Sequence, residues 1–308
     1  MVKCRLCGSN DADLRIEYAR LPLCKGCFTE KFFPNRLRRT VKKYRMFSPA
    51  GKVAVALSGG KDSAVLIHSL KKAFPELKTV GVHLDLGIEG YSEEARQKVE
   101  EICSLLDVEL IVYSLKDEEG FTVDDFRKTS YKRKICSVCG VLKRRRLSRI
   151  AASLDVEALL TGHNLDDIVE NMMSCFLSKD FQQLVRLKSV LPEQPPLPKK
   201  VKPLSRVYEV ETLMYAQFLD LPFMDLPCPY ASGSRSLRRK QLMNMWEHKQ
   251  AGFKYQLFSA FEEIIPIIEA NLPKTEFIRC KICGLPSSSP VCSDCRRVSL
   301  IKETLSKI

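Results

Sequence analysis

The middle of the chain alternates between two hydrophobic periods. Lys52–Leu57 is a short apolar run that reads as a buried strand, and Ser63–Phe74 follows with apolar residues at helical spacing. Thr79–Leu84 and Val108–Leu115 read as a second and a third strand, with an amphipathic helix over Glu93–Leu106 between them. A basic amphipathic helix over Gly140–Leu154, a fourth strand at Ala158–Thr161 and a helix over Leu165–Leu177 continue the series. Strands separated by helices predict an α/β fold of Rossmann-like type, a parallel sheet with helices on both faces. Leu191–Pro203 breaks the pattern with five prolines and reads as a loop or crossover. Helical segments return at Glu209–Leu219, Leu237–Gln250 and Tyr255–Ala270, with Pro266 expected to kink or split the last.

The cysteines add modules at both ends. Ten of the 13 fall into Cys-x-x-Cys pairs. Cys4/Cys7 and Cys24/Cys27 are separated by sixteen residues, and Cys280/Cys283 and Cys292/Cys295 by eight. Each set supplies four thiolates for a closed tetrahedral zinc shell, with Gly8, Gly26 and Gly284 beside the knuckles; redox thiols are the alternative. Neither segment is long enough for a core of its own, so a bound ion would supply folding energy. The expected division is a zinc finger over 1–30, a catalytic domain with a connecting helix over 31–230, a helical region over 231–275 and a second zinc finger over 276–308.

Composition narrows the class. The 308 residues are 45% hydrophobic, enough for a real core. No apolar run is long enough to span a membrane, and Met1-Val2-Lys3-Cys4 opens no secretory signal, so the expected location is cytoplasmic. Fifty basic against 37 acidic residues give a net charge of +13, which suits a phosphate-rich partner. The basic residues gather at Arg36–Arg45, Lys132–Lys134, Lys143–Arg149, Lys199–Lys202 and Arg235–Lys240.

The first strand runs into Ser58-Gly59-Gly60-Lys61-Asp62-Ser63. Two glycines permit a sharp turn and close approach of a ligand, and free N–H groups at the following helix start face an anion. A Walker A loop would need glycine where Val55 stands and Ser or Thr where Asp62 stands. The string resembles instead the PP-loop of ATP pyrophosphatases, which split ATP to AMP and pyrophosphate, and Asp62 would help to hold magnesium beside the phosphates. His83–Gly87 and Thr161–Asp167 are expected at the same sheet edge, with Leu84 meeting adenine by its backbone and Gly162 allowing close approach. Asp166 and Asp167 read either as a helix cap or as metal-binding or catalytic acids, and His163 as a residue that orders the site.

Cys136 and Cys139 precede the basic run Lys143–Arg146, where low thiol pKa values are expected, and Cys228 stands between Pro227 and Pro229. These three suit an iron–sulfur cluster with one iron free of protein ligand, a zinc site or a disulfide relay. Cys103 and Cys175 read as buried helix-face residues without a role.

Together the terminal cysteine modules, Ser58–Ser63, Leu86-Gly87-Ile88 with Tyr91-Ser92, Cys136-Ser137-Val138-Cys139-Gly140, Thr161–Asp167 and Cys228-Pro229 make the chain resemble the TtuA/TtcA group of tRNA thiolation enzymes, most of all TtuA-type 2-thiouridine synthetases. The TtcA branch generally lacks the terminal modules. The resemblance implies ATP-dependent adenylation of the C2 oxygen of a tRNA uridine and its replacement by sulfur. It implies a 4Fe–4S cluster on Cys136, Cys139 and Cys228, nucleotide contacts at Ala56, Leu57, Ser58, Asp62, Leu84, Lys143 and Gly162, and a catalytic Lys143 and Asp167. It also implies a homodimer and a sulfur donor that is sulfide or a thiocarboxylated ubiquitin-like carrier protein. The uridine at position 54 is the expected target, with uridine 34 or cytidine 32 as alternatives. The rival functions are a PP-loop amidotransferase or ligase, which would not need the three central cysteines, and a non-catalytic zinc RNA-binding protein, which would not need the ATP loop.

Overall fold

The computed structural model describes residues 2–231, 235–273 and 277–307. A short hairpin, β1 (Leu14–Ile16) and β2 (Leu21–Leu23), leads to helix α1 (Phe33–Tyr44). The central part then runs β3 (Lys52–Leu57), α2 (Lys61–Ala73), β4 (Lys78–Asp85), α3 (Ser92–Leu106), β5 (Glu109–Ser114), α4 (Ile135–Ser153), β6 (Ala158–Leu160) and α5 (Leu165–Leu177). After β7 (Val190–Leu191) and β8 (Lys199–Val201) come helices α6 (Glu209–Phe218), α7 (Arg235–Lys249) and α8 (Phe253–Asn271). The chain closes with β9 (Ile278–Arg279), β10 (Pro286–Ser287) and α9 (Ser293–Leu305).

Six strands form the main sheet in the order β5-β4-β3-β6-β8-β7. All neighbours are parallel except β7, which runs antiparallel to β8. The β3 side chains explain the central position. Val53, Val55 and Leu57 enter a core with Val65, Leu66 and Leu70 of α2 and Leu37 of α1, whereas Ala54 points the other way, toward Val82, Leu159 and Ala151 of α4. Side chains alternate across a strand, so an almost wholly apolar strand is stable only with helices on both faces.

The terminal modules are anchored differently. Cys4, Ile16, Leu23, Cys24 and Cys27 belong to the same buried cluster as β3 and α2, joined through Phe28 and Phe33. At the other end, Ile301 of α9 packs with Val138 and Leu142 of α4. Arg146 of α4 is 2% exposed and pairs with both Glu119 and Asp294, so α9 is fixed to α4 by charge as well as by apolar contact.

Three local expectations change. The proline-rich stretch is not only loop: β8 pairs with β6, and β7 covers β8 at the sheet edge. The three residues of β8, Lys199–Val201, fit between Pro198 and Pro203, so no proline interrupts its ladder. Helix α8 runs through Pro266 without splitting. Helix α4 begins at Ile135, so Cys136 and Cys139 lie within it rather than before it.

Candidate active site

Strand order reverses beside β3, where β4 lies on one flank and β6 on the other. Such a switch point opens a crevice at the carboxyl ends of the strands. Ser58–Ser63 leaves β3 there, and Thr161–Asn164 leaves β6. Gly59 has φ +83°, and a Cβ on it would stand 2.8 Å from the Cα and O of Ala95, so the tight passage past α3 demands glycine. The loop closes on itself. Ser58 N donates to Ser63 Oγ at 3.2 Å, and Ser63 Oγ donates to Gly60 O at 2.8 Å. A Cβ on Gly162 would stand 3.0 Å from the Asp62 carbonyl carbon and 3.1 Å from Ser63 N, so the two loops touch backbone to backbone.

An alternating chain of charge lines the crevice. Lys61 Nζ lies 3.0 Å from both Asp62 and Glu209. Lys240 Nζ lies 3.2 Å from Glu209 and 2.5 Å from Asp167. Burial disfavours the Lys61 charge, but Asp62 and Glu209 outweigh it and hold the pKa above the ordinary lysine value. Burial likewise pushes Glu209 up, and Lys61 and Lys240 pull it below the usual carboxylate range. Asp62 Oδ1 also accepts from Thr212 Oγ1 at 2.6 Å and from Asn164 Nδ2 at 3.2 Å, which fixes the carboxylate.

The acid pair divides. Asp167 joins Asn164 in a capping box at the start of α5 and faces Lys240. Asp166 turns inward, pairs with Lys254 and accepts Glu209 N at 2.8 Å. The structure thus gives Asp166 a scaffold position and leaves Asp167 at the crevice. His163 bonds Thr161 Oγ1 through Nδ1 at 2.8 Å. Behind the loop, His83 Nδ1 meets Leu57 O at 2.9 Å and ties β4 to the end of β3, next to Ala56. Leu84 is buried with Leu86 and Ile88 beside the central cysteines.

Cys139 and Cys228 pack against that apolar cluster with Tyr91, while Cys136 is exposed and donates to Tyr230 O at 3.0 Å. Burial pushes the Cys136 thiol up, and Cys228 pushes it further. Cys139 is also raised, by burial first, with Lys143 opposing. This corrects the expected low pKa values: desolvation and mutual repulsion exceed the help from the basic run. The raised Cys136 and Cys139 thiols, with Cys228 beside them, suit a cationic centre that would favour their thiolate forms. The cysteine segment is also tied to the Ser58–Ser63 loop, since Met224 N donates to Gly59 O at 2.8 Å.

At each terminus the four thiol sulfurs lie within 4.8 Å of one another. Cys27 N donates to Cys24 Sγ at 3.4 Å, and Cys292 N to Cys280 Sγ at 3.3 Å. Burial and the neighbouring cysteines push Cys27 up to about 12, a repulsion that one divalent cation would relieve. Both sets fit a metal ion. Burial raises Cys103, in the core, to about 11; Cys175 is half-buried and raised for the same reason.

Sequence reasoning missed Glu209 and Thr212, and placed Lys240 only in a basic cluster. No local pattern distinguishes these residues; only the fold brings Glu209 and Lys240 to the loop. Asn164 was findable, because it stands directly before a helical run in a favoured capping position.

Residues 30–244 match the family model described as a PP-loop domain. The tRNA-5-methyluridine(54) 2-sulfurtransferase of Pyrococcus horikoshii is 33% identical over 307 residues, covering 100% of this chain and 97% of that protein. The protein of the same name in Thermus thermophilus is 32% identical over 294 residues, covering 95% and 90%. Among solved structures, the U34-tRNA thiolase NcsA of Methanococcus maripaludis with its 4Fe–4S cluster is 29% identical with a TM-score of 0.81, covering 96% of this chain and 95% of that one. Loop, fold and likeness over the whole length agree: the chain belongs to the PP-loop family of tRNA 2-thiolation sulfurtransferases.

Proposed function

We propose that the protein is an ATP-dependent tRNA sulfurtransferase that replaces the C2 oxygen of uridine 54, in the T-loop, with sulfur. The observation that carries the reading is the joining of two functions at one sheet edge: the Ser58–Ser63 loop and the Cys136–Cys139–Cys228 trio, linked by the Met224–Gly59 hydrogen bond. Relatives that match over the full length bear the names of enzymes of this activity.

The backbone amides of Ser58–Ser63 and the start of α2 receive the ATP phosphates. Ala56, Leu57 and Leu84 flank the adenosine, with Leu84 making backbone contacts to adenine, and Gly162 leaves room beside the loop. Asp62 helps to hold magnesium, its carboxylate oriented by Thr212 and Asn164. The uridine C2 oxygen attacks the α-phosphorus, an O–P bond forms and pyrophosphate leaves. Sulfur then bonds to C2 while the C–O bond breaks and AMP departs; a urea-like oxygen leaves poorly, and AMP leaves well. Lys143, on α4 one turn beyond Cys139, offsets the charge that develops on the adenylate, and Asp167 takes part from the crevice wall. When bound on Cys136, Cys139 and Cys228, a 4Fe–4S cluster supplies an iron without a protein ligand, open to sulfur.

The two terminal four-cysteine sets hold structural zinc and bound the catalytic domain, the first over 1–30 and the second over 276–308. The sulfur donor is sulfide or a thiocarboxylated ubiquitin-like carrier. The protein works as a homodimer in the cytoplasm, a reading supported by exposed Leu242, Met245 and Trp246 on one face of α7 and by thirteen unpaired cysteines. Pyrophosphate release tests the chemistry: one pyrophosphate per sulfur, with product strictly dependent on sulfide, is expected. A product formed from ammonia without sulfide would make the protein an amidotransferase instead.

A further inference from the structure

A cavity of about 660 Å³ lies between α4, the β7–β8 edge and the C-terminal module. Arg144, Arg145, Arg186, Lys188, Lys200 and Arg296 supply six cations to its lining, against Glu269 and Asp294. Both acids are already engaged, Glu269 by Lys188 and Asp294 by Arg146. Among the described residues, Arg144, Arg186, Lys200 and Arg296 have no ion pair, and Arg145 Nε is buried without a hydrogen-bond partner. Arg145 spends its terminal nitrogens on Pro286 O and Cys283 Sγ, whereas Lys200 is pushed down to about 8 by burial and by the charges of Arg144 and Arg145. The remaining lining offers hydroxyls and amides, among them Ser148, Gln182, Gln183, Ser288 and Ser293.

We infer that this cleft seats the sugar–phosphate backbone of the tRNA substrate and leads it to the nucleotide loop. Unpaired Arg and Lys with Ser and Gln donors form the set that contacts phosphate and ribose oxygens and fixes register. Arg144 joins the cleft to the cysteine segment: it lines the cleft, and a Cβ on Gly140, the neighbour of Cys139, would stand 3.3 Å from its guanidinium. The number of unpaired cations exceeds what one carboxylate terminus would neutralise, which favours a polyanion. The inference rests on the tRNA thiolation reading.

The test uses reconstituted full-length protein with unmodified tRNA. Arg186→Ala, Lys200→Met and Arg296→Ala are made singly and together, with Lys78→Ala as a charge-matched control at the opposite end of the sheet. Each cleft change should weaken tRNA binding roughly three- to tenfold and lower the slope of log affinity against log salt by about 0.7–1. The combined variant should lose about 100-fold, while the KM for ATP stays within about twofold. Arg186 and Arg296 are exposed, so their double variant tests the cleft even where Lys200→Met unfolds the edge. Wild-type tRNA affinity and salt slope in the combined variant, with the wild type thiolating, overturn the inference. Intact tRNA binding with loss of carrier-dependent but not sulfide-dependent thiolation also overturns it, and gives the cleft to an acidic polypeptide. A wild-type protein that neither binds tRNA nor thiolates it refutes the functional reading instead.

Discussion

Gly59→Ala probes the point where backbone geometry, packing and chemistry meet. Alanine at φ +83° costs about 1–2 kcal/mol, since the left-handed region crowds Cβ. Its Cβ would then meet the Cα and O of Ala95 at 2.8 Å and the Ala95 Cβ at 3.0 Å. Backbone cannot rotate away as a side chain tip can, so α3 or the loop must shift, an overpacking cost of about 1–3 kcal/mol. A total near 3 kcal/mol lowers Tm by about 5 °C in a chain of this length. A loop displaced by a few tenths of an ångström also misaims the phosphate-binding amides, and kcat/KM for ATP should fall roughly 10- to 100-fold. Gly60→Ala is the internal comparison. Gly60 has φ −83°, and its Cβ would find only Ser58 Oγ at 3.6 Å, so stability should change by less than about 1 kcal/mol. Differential scanning calorimetry and tRNA-stimulated pyrophosphate release measure the two effects. Equal stability of the two variants, or unchanged ATP kinetics in Gly59→Ala, would refute the reasoning.

Cys228→Ala should abolish thiolation and the cluster's visible absorbance while ATP binding persists; full thiolation by this variant under strict anaerobiosis would sink the three-cysteine site. Cys27→Ser should lower Tm more than Cys283→Ser, because Cys27 sits in the core that contains β3 and α2 whereas Cys283, half-buried, lies in the small terminal cluster and meets α4 through Arg145, and thermal unfolding with zinc analysis checks the order. Lys202, which donates to Leu187 O and Lys188 O, is held down to about 7 by burial, against 10.5 for an ordinary lysine. Between those values the unfolded chain binds a proton that the folded chain lacks, so this residue makes stability rise with pH from 7 toward 10. Urea midpoints at pH 7 and 9 should differ more in the wild type than in Lys202→Met; equal pH slopes would show that Lys202 is charged in the fold.

The sheet was legible because β3, β4 and β6 are apolar enough to require cover on both faces, and because Leu165–Leu177 keeps its helical period from cap to end. The short strands β7 and β8 were not, because a two- or three-residue strand among prolines carries no period. The loop Ser58–Ser63 and the central cysteines announce themselves by spacing, yet the pKa direction of those thiols depends on burial that only the packed fold reveals. The charge chain through Glu209 and Lys240 was hidden for a related reason: each partner comes from a different helix, and nothing in its own neighbourhood marks it.

The most direct test of the central claim is to map sulfur in the product. Protein purified and reconstituted without oxygen is incubated with ATP, magnesium, sulfide and unmodified tRNA, and thionucleosides are located by mass spectrometry. The account predicts ATP-dependent 2-thiouridine at position 54, lost when Asp62 or Cys139 is replaced. Sulfur at uridine 34 or cytidine 32 would keep the chemistry and refute the assigned position. A tRNA free of sulfur, from protein with its cluster intact and ATP turning over, supplied with both sulfide and a thiocarboxylated carrier, would contradict the account.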